Sequence, residues 1–273
     1  STPAHKAYPG SSIVTAERLG KVDTIAALAK SPLLFDPGSD WEYGFSTDVL
    51  GFVVEAVTGM PLGDFLAQRL WSPLGMSDTS FALPAAKRAR YALALAKDPL
   101  SGSANPAIHH ATEKTQRWQS GGGGSVSTAG DYLRFCEMLR SGGRLGSVDI
   151  LGRATVQLMT SDHLPASFVS KIADAMDPAA AGYGFGLGFA VRRQDGIAAL
   201  AGSAGDYYWS GAYGTYFWID PREQLSVVFL AAAPGLVRLR YRQMLRNMVY
   251  QALTYAHRAA LRLAQREVTS FKD

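Results

Sequence analysis

The 273-residue chain is 47% hydrophobic and 18% charged, a balance that lets it bury a substantial core and excludes an intrinsically disordered chain. Its 27 Lys and Arg against 23 Asp and Glu leave a formal charge of +4, too slight to point to nucleic acid as a partner. A single cysteine, Cys136, excludes an internal disulfide, and no run of 18 or more apolar residues offers a membrane-spanning helix.

In chain order, residues 1–19 read as loop, with Pro3, Pro9 and Gly10 as breakers. Residues 21–32 predict a short helix, and Pro37-Gly38 a turn. From Ser46, apolar residues at 49, 50, 53, 54 and 57 follow the helical period, with Ser46 or Thr47 as cap and Gly59 past the end. Residues 61–76 predict a second helix entered at Pro61. Residues 77–118 are irregular apart from a helical stretch at 84–96. Another helix enters near Ser127 or Thr128, carries Cys136 as a small core residue, and closes at Gly142-Gly143. Residues 152–163 give a further short helix.

The period then turns strand-like, predicting strands at 184–193, 211–219 and 225–232, with the last two joined through 220–223. Residues 235–267 are helical, and their arginines (Arg238, Arg240, Arg242, Arg246, Arg258, Arg262, Arg266) read as a solvated face. The pattern is one α/β domain over 1–273, with a mainly helical region at 20–182 and a sheet meander plus covering helix at 183–267. No signal-peptide pattern is visible, and a cytoplasmic location is expected.

Several motifs invite a chemical reading. Gly121–Gly124 lacks the Gly-Lys-Ser/Thr ending of a phosphate loop, so the run is a tight turn approaching either another element or a ligand. "AGSAG" at 201–205 has Ala201 at the first glycine of the G-x-S-x-G elbow and runs into a strand, which makes it a turn. His109-His110 are adjacent and the other histidines isolated, so no zinc-ligand spacing exists. Tyr43, just before a helix, is either a packed tyrosine or a base; a phenol with a pKa near ~10 serves as base only beside a cation. In "DYYWSGAYGTYFWIDP" (206–221), side chains shrink at Ser210, Gly211 and Ala212 inside an otherwise bulky strand.

Four blocks in order, from about Leu33 to Tyr250, resemble the serine β-lactamase-like hydrolases, especially family VIII carboxylesterases, which are related to class C β-lactamases and D-alanyl-D-alanine carboxypeptidases. They are "DPGSDWEYGFSTDVLGFVVEAVTGMPLGDFLAQRLWSPLGMSDTSF", "SGGGGSVSTAGDYLRFCEMLRSGG", "GYGFGLGFAVRRQ" and "GDYYWSGAYGTYFWIDPREQLSVVFLAAAP". The resemblance implies an α+β fold of the β-lactamase/transpeptidase type, with an antiparallel sheet flanked by helices plus a helical region. It implies a serine nucleophile and lysine in S-x-x-K, a proton-shuttling tyrosine, and a strand triplet. Tyr43 matches the tyrosine, and Trp209-Ser210-Gly211 the triplet. Ala212 matches the residue whose backbone N–H forms half of the oxyanion hole. Trimmed side chains at 210–212 would then clear a substrate's approach to the backbone. Tyr207, Tyr208 and Tyr213 are expected to wall the acyl site. No cofactor or metal is implied, and the expected partner is a small-molecule ester.

The likeness has one gap. None of the eight lysines has a serine three residues before it. The S-x-x-K helix is thus expected on a segment absent from this chain, cut away or carried by a second polypeptide, unless the chain is an inactive truncated member. Trp209 in place of the lysine of K-T-G, and Phe45 where lactamases prefer Asn, turn the expectation from β-lactams towards esters.

Overall fold

The expected helix-then-sheet order is present in the computed structural model, which describes residues 8–10, 12–105, 116–165 and 177–254. Helix α1 (Ser12–Arg18) forms where the sequence reads as loop. It is held by packing: Ala16 is buried with Phe52 and Trp118, and its carbonyl accepts from the Arg117 N–H at 2.8 Å. Helix α2 (Lys21–Lys30) follows.

The apolar period at 49–57 produces α3 (Ser46–Thr58), ended by Gly59 in the left-handed region at φ 68°. Neither Ser46 nor Thr47 caps it; Phe45 holds the N-cap position without a side-chain bond. Helix α4 (Leu62–Leu66) runs on into a π-helical turn, Ala67–Trp71, which delivers Trp71 to the core. The helical reading of 84–96 reduces to one 3-10 stretch, Ala85–Arg90. Helix α5 (Ala129–Arg140) starts where expected, with the Thr128 hydroxyl accepting from the Asp131 N–H at 3.2 Å. A small hairpin, β1 (Arg144–Leu145) and β2 (Val148–Asp149), precedes α6 (Arg153–Met159).

The sheet is a five-stranded antiparallel meander in sequence order: β3 (Tyr183–Phe185), β4 (Ala190–Arg192), β5 (Tyr207–Ser210), β6 (Tyr216–Asp220) and β7 (Leu225–Phe229). Two of the three expected strands are corrected. The 184–193 strand folds back on itself between Phe185 and Ala190, with Gly188 at φ 96° and no room for a Cβ at Gly186 beside the Met159 carbonyl. The 211–219 strand begins only at Tyr216, because 211–214 form the β5–β6 turn.

Both sheet faces are apolar at period two, so both need cover. Helix α5 packs Cys136, Met138 and Leu139 onto Phe189, Tyr207, Phe217 and Ile219. On the other face, α7 (Val237–Ala252) packs Leu245, Val249 and Tyr250 onto Tyr208, Tyr216 and Trp218. Burial pushes the Cys136 thiol pKa up, which suits a core residue. The solvated reading of the α7 arginines is corrected for two of them: Arg242 and Arg246, one turn apart, face the sheet and are buried. Arg258, Arg262 and Arg266 lie outside the described residues. No single described helix is long and apolar enough to cross a membrane; α3 and the α4 segment reach that composition only as a pair bent by 81°.

Candidate active site

Tyr43 occupies the segment that links the Pro37-Gly38 turn to α3. Its ring stacks on the Trp209 indole with centroids 5.9 Å apart and planes 26° from parallel. Trp209 in turn meets Phe185 edge-on at 5.5 Å, and Phe185 meets Trp41 at 5.2 Å. Two residues from the pre-helix segment thus brace against β3 and the end of β5. Neither Trp41 nor Phe185 stood out in the sequence, where each is one aromatic among many.

The Tyr43 side chain is half exposed, and its phenol pKa is raised, first by burial of the hydroxyl's surroundings and then by the negative charge of Asp48. Both influences keep it protonated at neutral pH. A neighbouring ammonium group would act in the opposite sense.

Asp48 lies in the first turn of α3 and is buried. Its carboxylate accepts from the Ser120 hydroxyl and from the Gly122 N–H at 3.3 Å, while burial pushes its pKa up. The only sign of this in the sequence was an acidic residue in a helix's first turn. The glycine run resolves accordingly: the element it approaches is α3. A Cβ at Gly121 would run into the Thr47 carbonyl, and one at Gly122 would press on Thr47 and Asp48.

At the β5 end, Ser210 is buried and its hydroxyl has no partner among the described residues. The Gly211 N–H donates to the Thr215 carbonyl at 2.9 Å, and the Gly214 N–H to the Gly211 carbonyl at 3.1 Å. Ala212 is at the exposed tip of this turn, and its N–H meets no acceptor among the described residues. The shrinking side chains therefore belong to a tight reversal and not to mid-strand: a Cβ at Gly211 would strike the Thr215 hydroxyl. Tyr213, partly buried, is pinned by its carbonyl, which accepts from the Ala233 N–H at 2.8 Å.

The aromatic wall is corrected at two positions. Tyr207 packs under α5 and Tyr208 against Tyr183 and Tyr216, both buried. With β4 and β6 on its flanks and helices on both faces, β5 presents only its end, residues 209–212, to the Tyr43 side.

"AGSAG" is a turn: Ser203 is buried and Gly205, at φ 85°, donates to the Arg192 carbonyl at 3.0 Å. Among the described residues no cluster of three His, Cys, Asp or Glu could hold a metal; His109 and His110 lie outside them. Two surface hollows of about 490 and 750 Å³ open elsewhere, around 141–153 and between 72–75 and 130–148. Neither touches Tyr43 or the 209–212 turn.

The β-lactamase family profile matches residues 4–247. Protein Rv1367c of Mycobacterium tuberculosis is 32% identical over 214 residues, covering 76% of this chain and 52% of that protein. Esterase EstB of Burkholderia gladioli is 30% identical over 224 residues, covering 76% and 53%. Among solved structures, EstCE1, described as a hydrolase with promiscuous acyltransferase activity, superposes with a TM-score of 0.68 at 31% identity, covering 85% of this chain and 62% of that one. The chain thus spans about half the length of the curated relatives it matches. A profile running through nearly all of α1 to α7, together with a shared fold at 31% identity, makes this chain a member of the β-lactamase family.

Proposed function

We propose that this chain is the sheet-bearing part of a carboxylesterase that cleaves small or medium apolar acyl esters through an acyl-enzyme. The nucleophilic serine and its lysine come from a segment outside this chain. Tyr43, coupled to that lysine, accepts the serine proton and returns it to the leaving alcohol. The lysine's charge is what lowers the phenol's pKa towards working pH. The Ala212 N–H, with that of the nucleophile, binds the oxyanion. Trp209, Ser210, Gly211 and Tyr213 line the substrate.

One observation carries this reading: Tyr43 stacks on Trp209, three residues before Ala212. The matched tyrosine and the matched strand end come from positions 166 apart in sequence yet share one aromatic contact. EstB and EstCE1, named as an esterase and a hydrolase, support the ester-cleaving class. The absent segment is supported by bare apolar surface: Val49, Leu50, Val53 and Val57 of α3 are exposed, and β7 is an edge strand with no partner on its outer side among the described residues.

The test is hydrolysis of p-nitrophenyl butyrate and nitrocefin by the polypeptide that carries this chain together with the S-x-x-K segment. The ester is expected to be the better substrate. Tyr43→Phe is expected to lower turnover by about 10²–10⁴-fold, the usual worth of a positioned acid–base group. Turnover untouched by that change removes the mechanism, and ester binding without turnover makes the protein a non-catalytic binder.

A further inference from the structure

Arg242 is a buried cation with no carboxylate at ion-pair distance among the described residues. Its guanidinium instead donates from Nη2 to two backbone oxygens, Gly211 O at 2.5 Å and Thr215 O at 3.0 Å. Those two residues flank the tip of the β5–β6 turn. The guanidinium itself lies over the Tyr216 ring, with Cζ 5.8 Å from its centroid. Placing a guanidinium here, unpaired by any acid, is costly unless the carbonyls it holds matter.

The Gly211 carbonyl belongs to the same peptide unit as the Ala212 N–H. In a trans peptide the C=O and N–H point in opposite directions. Fixing the oxygen on Arg242 therefore fixes the N–H to point away from α7, out of the turn. Donation from a full positive charge to that oxygen also polarises the amide and strengthens the N–H as a donor, as hydrogen bonds in a chain do. The Gly214 N–H supplies a second bond to the same oxygen at 3.1 Å, so the plane is held from two sides.

We propose that Arg242 is a positioning residue for the oxyanion hole: it orients and polarises the 211–212 peptide so that the Ala212 N–H meets a developing negative oxygen. This rests on the hydrolase reading above. Arg242 touches no substrate; it acts through the peptide. Its effect is on the transition state, where the oxygen carries charge, and little on the ground-state ester.

The test uses Arg242→Met, which keeps the volume and removes the donor, and Arg242→Lys, which restores a charged donor on a shorter stem without the planar guanidinium fork. In the 273-residue chain, the ¹⁵N resonance of Ala212 is expected to move upfield in Arg242→Met and part of the way in Arg242→Lys. In the polypeptide that also carries the serine and lysine, kcat is expected to fall about tenfold to a hundredfold in Arg242→Met with KM nearly unchanged, a part of what loss of a whole oxyanion donor costs. Arg242→Lys is expected to recover some of that loss, which a purely volumetric role would not predict. A folded Arg242→Met protein with the Ala212 resonance unmoved overturns the proposal. So does unchanged kcat in a protein that Tyr43→Phe inactivates. If Tyr43→Phe leaves hydrolysis intact, the Tyr43 mechanism falls, and the Ala212 resonance alone decides whether Arg242 orients this peptide. Should Arg242→Met fail to fold, the Lys variant carries the same two measurements.

Discussion

Arg246 of α7 and Asp206, just before β5, form an ion pair, Nη2 to Oδ2 at 2.7 Å, with neither side chain exposed to solvent. Asp206 also accepts from Arg192 Nε at 2.7 Å and from the Tyr183 hydroxyl at 2.7 Å. The two guanidinium groups also donate to the Leu200 and Ala201 carbonyls and to the Tyr216 and Tyr183 hydroxyls. One carboxylate thus ties β4, β5 and α7 together. Removing it leaves two buried cations facing each other. Asp206→Asn is expected to cost about 3–5 kcal/mol of stability, the range for stripping one partner from a buried pair. Urea unfolding measures it; a loss below about 1 kcal/mol would show that the network relaxes to water.

Gly121→Ala addresses the contact between the glycine run and α3. The added methyl meets the Thr47 carbonyl, which is backbone and cannot rotate away. The change is expected to destabilise by about 1–3 kcal/mol, as forced overpacking does, and to displace the start of α3, which Tyr43 precedes. Gly123→Ala, where a Cβ meets open space, is the control and is expected to leave the melting temperature nearly unchanged. Equal effects at both positions would sink the packing account.

Ser210 presents a hydroxyl that is buried and unpartnered among the described residues. Removing such a group spares its desolvation cost. Ser210→Ala is therefore expected to leave stability unchanged or to raise it by up to about 1 kcal/mol. Under the proposed function, the same variant is expected to raise KM for esters. Thermal melts and steady-state kinetics read the two effects separately, and a clear loss of stability would mean the hydroxyl already has a partner.

Tyr43 gives a prediction in pH. Its folded pKa lies above the ordinary value of 10.0, through burial and through Asp48. A group with a raised folded pKa loses nothing below its unfolded pKa; the stability it contributes is lost as pH rises beyond about 10. Tyr183, Tyr208 and Tyr216 are shifted the same way by burial. Alkaline unfolding is thus expected to begin only above pH 10, with tyrosinate absorbance rising together with loss of structure. In difference spectra, Tyr43→Phe is expected to remove no absorbance change below pH 10 from this chain. A Tyr43-dependent signal near neutral pH would show that a cation already stands beside the phenol. In the polypeptide that also supplies the lysine, the proposed mechanism expects that signal to move down.

Local chemistry was enough to read several elements from the sequence. Helix α5 carries its own cap at Thr128, and α3 carries both its apolar period and Gly59 at its end, so i to i+4 spacing sufficed. The family, too, was legible, because its blocks keep their order from Leu33 to Tyr250, and so was the lack of S-x-x-K among the eight lysines. The tertiary structure alone decided which of five similar aromatics at the β5–β6 hairpin is buried. Tyr207, Tyr208, Trp209, Tyr213 and Tyr216 look alike as a string. Flanking strands and covering helices enclose 207, 208 and 216, and only the strand end meets Tyr43. The same holds for α7: seven arginines read as a wet face, yet Arg246 finds Asp206 and Arg242 finds two carbonyls, partners 27 to 40 residues away. Burial of a charge depends on what the rest of the chain folds against it, and no local pattern encodes that.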